Sequence, residues 1–203
     1  MRWRANVDNQ GHTDIPLNAR GRAQAAAPEA FDGVELRNLV GGDWRRTGEV
    51  TPHVLGIDGT VVPGPPRVDR EIAALAVAHA VREHTAWRAV PLEVRKSRVA
   101  AAIAGLRAER ELLATLLVWE IGKPWRLACA DVDRALDGAD WYLAEIDRQV
   151  AGRLPLAGPM SNIASWNYPM SVQVHAELVQ LLAGNAVLAK TPSQGGFYAL
   201  SVA

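Results

Sequence analysis

Two short segments near the end of the chain constrain the fold more than any others. Residues 161–169 read Ser-Asn-Ile-Ala-Ser-Trp-Asn-Tyr-Pro, and residues 184–193 read Gly-Asn-Ala-Val-Leu-Ala-Lys-Thr-Pro-Ser. In the first segment, residues 163–166 are typical of a short buried strand, and the proline after them suits the first turn of a helix. In the second, residues 186–189 form a continuous apolar run, which is typical of a parallel strand covered on both faces.

The sequence between these two strands predicts a helix. Four apolar residues keep helical spacing between 170 and 183, namely Val172, Ala176, Val179 and Leu182. Gly184 then favours the end of that helix. Strand, helix and strand make one βαβ unit, and such units bind ligands beyond the carboxyl ends of their strands. Because Asn167 and Lys190 follow those two ends, we predict that both side chains point at one crevice.

Apolar spacing upstream predicts three more helices. They span Asp69 to Trp87, residues 92–118 and residues 126–149. A Gly-Gly pair at 41–42 predicts a hairpin turn between two apolar residues. The second of the helices should stop at Glu-Ile-Gly-Lys-Pro, residues 120–124, because glycine favours a helix end and proline blocks renewal. We expect a structural role there, with Lys123 as a surface cation or a cation at the helix C-terminus.

These motifs together resemble the first part of the nucleotide-binding domain of the aldehyde dehydrogenase superfamily. The motifs that carry the resemblance occur in the family's order: Leu-Val-Gly-Gly-Asp-Trp at 39–44, Glu-x-Gly-Lys-Pro at 120–124, Trp-Asn-Tyr-Pro at 166–169, Ala-Gly-Asn at 183–185 and Lys-Thr-Pro-Ser at 190–193. The resemblance covers roughly residues 38–203. It implies an α/β fold with an incomplete Rossmann-like parallel sheet and N-terminal amphipathic helices. Residues 34–203 would then be the truncated N-terminal part of an NAD(P)-binding domain.

The resemblance also implies a reaction. Family members oxidise an aldehyde to an acid: a cysteine thiolate attacks the carbonyl, NAD or NADP takes a hydride, and a glutamate activates water. Asn167 matches the asparagine whose amide donates to the oxyanion, and its alternative role is a helix cap. Lys190 matches the lysine that binds the adenosine ribose hydroxyls, and its alternative is an ordinary surface lysine.

Further residues match the cofactor cleft of the family. Those that would line it are Ile163, Ala164, Ser165 and Trp166. Trp166 could equally belong to the core. Ser193 stands where many NAD-preferring members have a glutamate that would repel a 2′-phosphate, so we predict that NADP is tolerated as well as NAD.

The remaining catalytic groups are not evident in this sequence. The only thiol, Cys129, lies in a helical apolar stripe without the family's Gly-Gln-x-Cys setting, so a small buried apolar residue is its expected role. The chain stops at Ala203, before the family's nucleophilic cysteine and general-base glutamate. We therefore expect no turnover from the 203-residue chain alone. Clusters of metal ligands are not evident either, so no metal is predicted.

The N-terminal region has a different character. Residues 1–33 are polar, Ala-rich and weakly patterned, which predicts a mobile or loosely docked arm. Residues 9–25 resemble a segment of histidine phosphatases of the phosphoglycerate mutase type. The Arg-His-Gly triplet that precedes the segment in that family is missing, so phosphatase chemistry is not expected, and His12 is interpreted as a solvated loop residue.

Charge and composition limit the partners. Lys plus Arg and Asp plus Glu are 22 each, so no basic field indicates nucleic acid. The sequence has no run of about 18 apolar residues and no signal-peptide pattern, so we predict no membrane partner. A single cysteine fits a reducing compartment, and we expect a cytoplasmic protein. The expected partners are an aldehyde and either identical subunits or a complete subunit on which the chain docks. A non-catalytic interaction or nucleotide-binding module and a phosphatase relic remain the alternatives.

Overall fold

The computed structural model describes residues 18–203, and the first 17 residues lie outside the described part. Its helices are α1 Ala19–Ala26, α2 Arg70–Trp87, α3 Leu92–Ala108, α4 Arg110–Ile121, α5 Trp125–Val150, α6 His175–Leu182 and α7 Phe197–Val202. Its strands are β1 Phe31–Asp32, β2 Glu35–Leu36, β3 Asn38–Val40, β4 Asp43–Arg45, β5 Val50–Val54, β6 Val61–Pro66, β7 Met160–Ile163 and β8 Val187–Lys190. The chain is thus a mixed α/β protein with small sheets, as the sequence predicted.

The strands pair two by two within the described residues. Pairs β1–β2, β3–β4 and β5–β6 are antiparallel, whereas β7 and β8 are parallel. The predicted hairpin at the Gly-Gly pair is confirmed, because β3 and β4 flank Gly41 and Gly42, which both have positive φ angles of 64° and 88°. The parallel pair is the part of the sheet that bears on function.

Helix α5 forms the centre of the helical core. Its predicted apolar stripe is buried at Ala128, Val132, Ala135, Leu136, Ala139 and Ile146. Helices α3, α4 and α6 pack against it, and α4 is buried on nearly every side. The predicted bounds of α2 and α5 agree with the structure to within one residue, and the side chain of Asp69 caps α2 by accepting from the backbone N–H of Ile72 at 2.8 Å. None of the helices between residues 18 and 203 is both long and apolar enough to span a membrane.

The single helix predicted over 92–118 is wrong, since it is two helices. Helix α3 ends at Ala108 and α4 begins at Arg110, because Glu109 leaves the helical conformation with φ −93° and ψ 10°. The periodic pattern conceals the break because apolar residues continue on both sides of it. Both helices pack against α5.

The βαβ unit is present, with shifted bounds. The first strand ends at Ile163 rather than Trp166, so residues 164–168 form the connection to the helix. That helix begins as predicted at Pro169, but its first six residues, Pro169–Val174, form a wider π-helical turn before α6. The second strand ends at Lys190, one residue later than predicted.

The segment after residue 17 differs from the arm expected over residues 1–33. Ala19–Ala26 form α1, in which Ala19 and Ala23 are fully buried against α4 and α7. Asn18 caps this helix by accepting from the backbone N–H of Gly21 at 3.0 Å. Small alanine side chains let the helix approach closely, which composition alone did not reveal. The residues that carry most of the phosphatase-like pattern, including His12, lie outside the described residues.

Candidate functional site

The parallel pair brings two of the predicted cofactor residues to one edge of the sheet. In the register of β7 and β8, Ile163 lies opposite Lys190, and both residues end their strands. The Lys190 side chain is exposed, and its Nζ donates to the carbonyl of the adjacent Thr191 at 2.8 Å. A ligand at this edge could therefore replace that local bond with one to its own oxygen atoms.

Two exposed apolar side chains lie at the end of β7 and in the connection that follows it. Ile163 is 71% exposed and Trp166 is 44% exposed. The core position considered for Trp166 is therefore wrong. Ala164 is half-buried, while Ser165 and Ser193 are exposed. Exposed apolar surface together with an exposed ammonium group suits a ligand with a flat ring and a polar sugar.

Asn167 lies in the turn between β7 and the next helix. The alternative in which it caps that helix is not observed, since Tyr168 occupies the N-cap position and no side chain caps the helix start. The Asn167 side chain is exposed, whereas its main-chain oxygen accepts a hydrogen bond from Lys123 Nζ at 2.7 Å. The turn is thus fixed through its backbone, with the amide directed away from the cap.

Of the two roles expected for Lys123, the surface cation is wrong, whereas the residue does follow the C-cap of α4. Its side chain is only 8% exposed. Its Nζ also donates to Oδ2 of the fully buried Asp131 at 2.9 Å and lies 4.0 Å from the centre of the Tyr168 ring. Asp131 in turn accepts from the backbone N–H of Ser171 at 2.9 Å through its other oxygen. One buried ion pair therefore holds both sides of the Asn167 turn.

Glu120 fixes the segment that follows β8 by accepting hydrogen bonds from its backbone. Its two carboxylate oxygens accept from the backbone N–H groups of Phe197 and Tyr198 at 2.7 and 3.1 Å, at the start of α7. Complete burial raises the pKa of Glu120 to about 8, and these backbone donors oppose the rise. His53 Nε2 lies 3.8 Å away, and burial lowers the pKa of that imidazole. Glu120 thus holds the chain just after Ser193.

We call residues 120–124 the clamp segment, because its two charged side chains hold both loops at the carboxyl edge. Its geometry depends on Gly122, which ends α4 with a φ of +68°. The two loops also touch, since a Cβ added to Gly196 would come within 3.0 Å of the Pro169 ring. The clamp segment is therefore a positioning element shared by the Asn167 turn and the Ser193 loop.

Sequence reasoning missed the partners of the clamp segment, although one signal was available. Asp131 falls on the buried face of α5, three residues after Ala128 and four before Ala135. An acidic residue on an apolar face is rarely left unpaired, so it calls for a buried cation. Among the three lysines of the chain, Lys123 is the closest in sequence to Asp131.

Other reactive groups contribute little to this site. Burial raises the pKa of the Cys129 thiol, which disfavours the thiolate needed for nucleophilic attack. Among residues 18–203, no group of three or more His, Cys, Asp or Glu side chains is arranged to hold a metal ion.

Comparison with known proteins places this geometry in context. The sequence pattern described as "Aldehyde dehydrogenase family" matches residues 44–203. A 1-pyrroline-5-carboxylate dehydrogenase of Geobacillus thermodenitrificans is 27% identical in an alignment of 199 positions that covers 89% of this chain and 38% of the relative. The chain therefore spans well under half the length of this curated relative.

Solved structures show the same fold. A 1-pyrroline-5-carboxylate dehydrogenase from Thermus with bound NAD superposes with a TM-score of 0.72 at 24% identity, over all of this chain and 41% of that one. An NADP-dependent glyceraldehyde-3-phosphate dehydrogenase from Bacillus halodurans, complexed with NADP, gives a TM-score of 0.74 at 23% identity, over 83% and 40% of the two chains. Since the family pattern covers most of the sequence, this chain belongs to the aldehyde dehydrogenase family.

Proposed function

We propose that this chain forms the N-terminal part of the cofactor and oxyanion site of an enzyme that oxidises an aldehyde to a carboxylic acid with NAD or NADP. The observation that carries the proposal is the shared edge of β7 and β8, where Ile163 and Lys190 end opposite each other. The Asn167 turn and the Ser193 loop continue from this edge, and the clamp segment holds both.

Asn167 would stabilise the charge that develops on the substrate oxygen. When a thiolate adds to the aldehyde carbon, the carbonyl π electrons move to oxygen, and a neutral amide N–H can donate to that oxygen without losing a proton. Cys129 is not suited to supply the thiolate because its pKa is raised. The Lys123 bond to the main-chain oxygen fixes the turn while leaving the amide exposed.

The edge also fits a dinucleotide. Lys190 would donate to the adenosine ribose hydroxyls, and the exposed faces of Ile163 and Trp166 would cover apolar parts of the cofactor. A bound nicotinamide cofactor supplies the hydride acceptor for the reaction. Ser193 places no carboxylate beside the ribose, so the loop does not repel a 2′-phosphate.

Calorimetric titration of the 203-residue chain with NAD and NADP tests the proposal. Both cofactors should bind, with dissociation constants within about tenfold of each other. Lys190→Ala should weaken both by roughly tenfold, because a hydrogen bond from a charged group contributes about 1.5 kcal/mol or more. Ser193→Glu should weaken NADP more than NAD, because the new carboxylate repels the 2′-phosphate.

A matched control keeps the added charge but moves it. Ser97→Glu introduces the same carboxylate on the exposed side of α3, and it should leave the ratio of the two dissociation constants unchanged. Absence of binding by either cofactor, or affinities that Lys190→Ala does not change, would refute the assignment of this edge.

A further inference from the structure

A cavity lies at the amino end of the parallel pair, opposite the end that carries Lys190. It has a volume of about 350 Å³ and lies between α3, the C-terminal half of α5, α6 and the connection before β7. Leu156 and Asn185 line it, and these residues precede β7 and β8 respectively. Because each strand has four residues, this cavity is separated from the cofactor edge by about 10 Å of strand.

Arg95 is the feature of this cavity that its packing does not explain. The residue is only 7% exposed, yet its Nε and Nη1 atoms have no hydrogen-bond partner among the described residues. A buried guanidinium normally has a carboxylate or several carbonyl oxygens around it. Its position in the first turn of α3 adds to the cost, since the positive end of the helix dipole disfavours a cation there.

The backbone has made room for this side chain. A Cβ on Gly184 would stand 1.8 Å from Arg95 Nη1, so no other residue at position 184 is compatible with this guanidinium position. The same Cβ would be 2.9 Å from the Pro155 ring, which lies on the cavity wall. The guanidinium is thus held over a glycine at the mouth of the connection to β7, and Arg95 is one of the residues that line the cavity.

The rest of the lining is apolar or amide, with one further cation. Its members are Tyr142, Ile146, Gln149, Val150, Arg153, Leu154, Pro155, Leu156, Val179, Gln180, Ala183 and Asn185. Arg153 is exposed, and the amide of Asn185 is engaged with Gln180 and with the backbone N–H of Leu156. No aspartate or glutamate is among these lining residues, so none of them neutralises the charge of Arg95.

We propose that this cavity binds a carboxylate attached to a short apolar body, with the carboxylate accepting hydrogen bonds from the guanidinium group of Arg95. A planar carboxylate matches the fork of a guanidinium. Arg95 is the one buried cation among the lining residues, and it matches the single negative charge of a carboxylate. The apolar tail would lie against Ile146, Val150 and Val179. The carboxylate comes either from a free small acid or from an acidic side chain of a second copy of this chain.

Butanoate and its uncharged isostere butanamide test the proposal on the 203-residue chain. Calorimetric titration should show butanoate binding, and butanamide should bind at least tenfold more weakly because it lacks the charge. Arg95→Gln should raise the butanoate dissociation constant at least tenfold. Arg126→Gln removes an exposed cation of α5 outside the cavity, and it should leave that constant unchanged.

Sedimentation distinguishes the two sources of the carboxylate. If an acidic side chain of a second copy fills the cavity, the chain should self-associate, and both butanoate and Arg95→Gln should weaken that association. If a free acid fills it, butanoate should bind without any change in mass. Equal binding of butanoate and butanamide would overturn the proposal even if Arg95→Gln failed to fold. A monomeric chain that does not bind butanoate would overturn it as well.

Discussion

Two buried cations lie near the two ends of the β7–β8 pair, and they differ in whether they have hydrogen-bond partners. Lys123, near the carboxyl edge, has a carboxylate, a carbonyl and an aromatic face within reach. Arg95, near the amino edge, is buried to the same degree, but two of its nitrogen atoms have no partner among the described residues. A satisfied buried charge fixes the position of its neighbours, whereas an unsatisfied one is ready to bind something else. The comparison therefore separates a positioning group from a binding group.

The largest expected effect is the loss of the satisfied cation. Lys123→Met should lower the free energy of unfolding by about 3–5 kcal/mol, because it leaves Asp131 as a buried charge without its cation. Urea denaturation followed by tryptophan fluorescence measures the change. Arg148→Met removes the cation of an exposed ion pair with Glu145 and should cost less than about 1 kcal/mol.

A double substitution separates the effect of the unpaired Asp131 charge from the effect of Lys123 on the position of the Asn167 turn. Lys123→Met combined with Asp131→Asn removes both charges and should recover part of the lost stability. Because Asn167 would still lack its backbone anchor, cofactor affinity should recover less than stability does. Equal recovery of both quantities would mean that Lys123 does not position the Asn167 turn.

The next largest effect is the pH dependence of stability that Glu120, the first residue of the clamp segment, should cause. The pKa of Glu120 is raised from 4.5 to about 8, so the native state keeps a proton that the unfolded state loses. The contribution of Glu120 to stability is complete below pH 4.5 and is lost as the pH rises toward 8. Between pH 5 and pH 7, the free energy of unfolding should fall by about 2–3 kcal/mol for this reason.

Glu120→Gln isolates this contribution. Glutamine cannot ionise, so the fall between pH 5 and pH 7 should be smaller in the variant than in the native chain. Burial also raises the pKa of Glu177, to about 7, and that residue contributes to the fall in both proteins. The difference between the two pH profiles therefore reports Glu120, and identical profiles would show that Glu120 ionises normally.

The sequence predicted the helices and strands better than the breaks between them and the contacts that bury them. The motifs around Asn167 and Lys190 led to the βαβ unit, because local spacing and turn residues determine such a unit. The break at Glu109 and the depth of α1 were missed, since both depend on packing between segments distant in sequence. The same limit applies to Arg95, because an arginine on a helix gives no sign of its burial, whereas Asp131 on the apolar face of α5 was a signal for the buried cation at Lys123.

The smallest effect on stability is the sharpest test of the comparison. Arg95→Met replaces a buried unpartnered charge by an apolar chain of similar length, so the free energy of unfolding should stay unchanged or rise by about 1 kcal/mol. The same type of substitution should thus be costly at Lys123 and harmless at Arg95. In saturating butanoate, the native chain should instead have the higher free energy of unfolding of the two, because only the native chain gains binding energy from the carboxylate. A loss of several kcal/mol in the absence of ligand would instead mean that Arg95 is already paired within the protein.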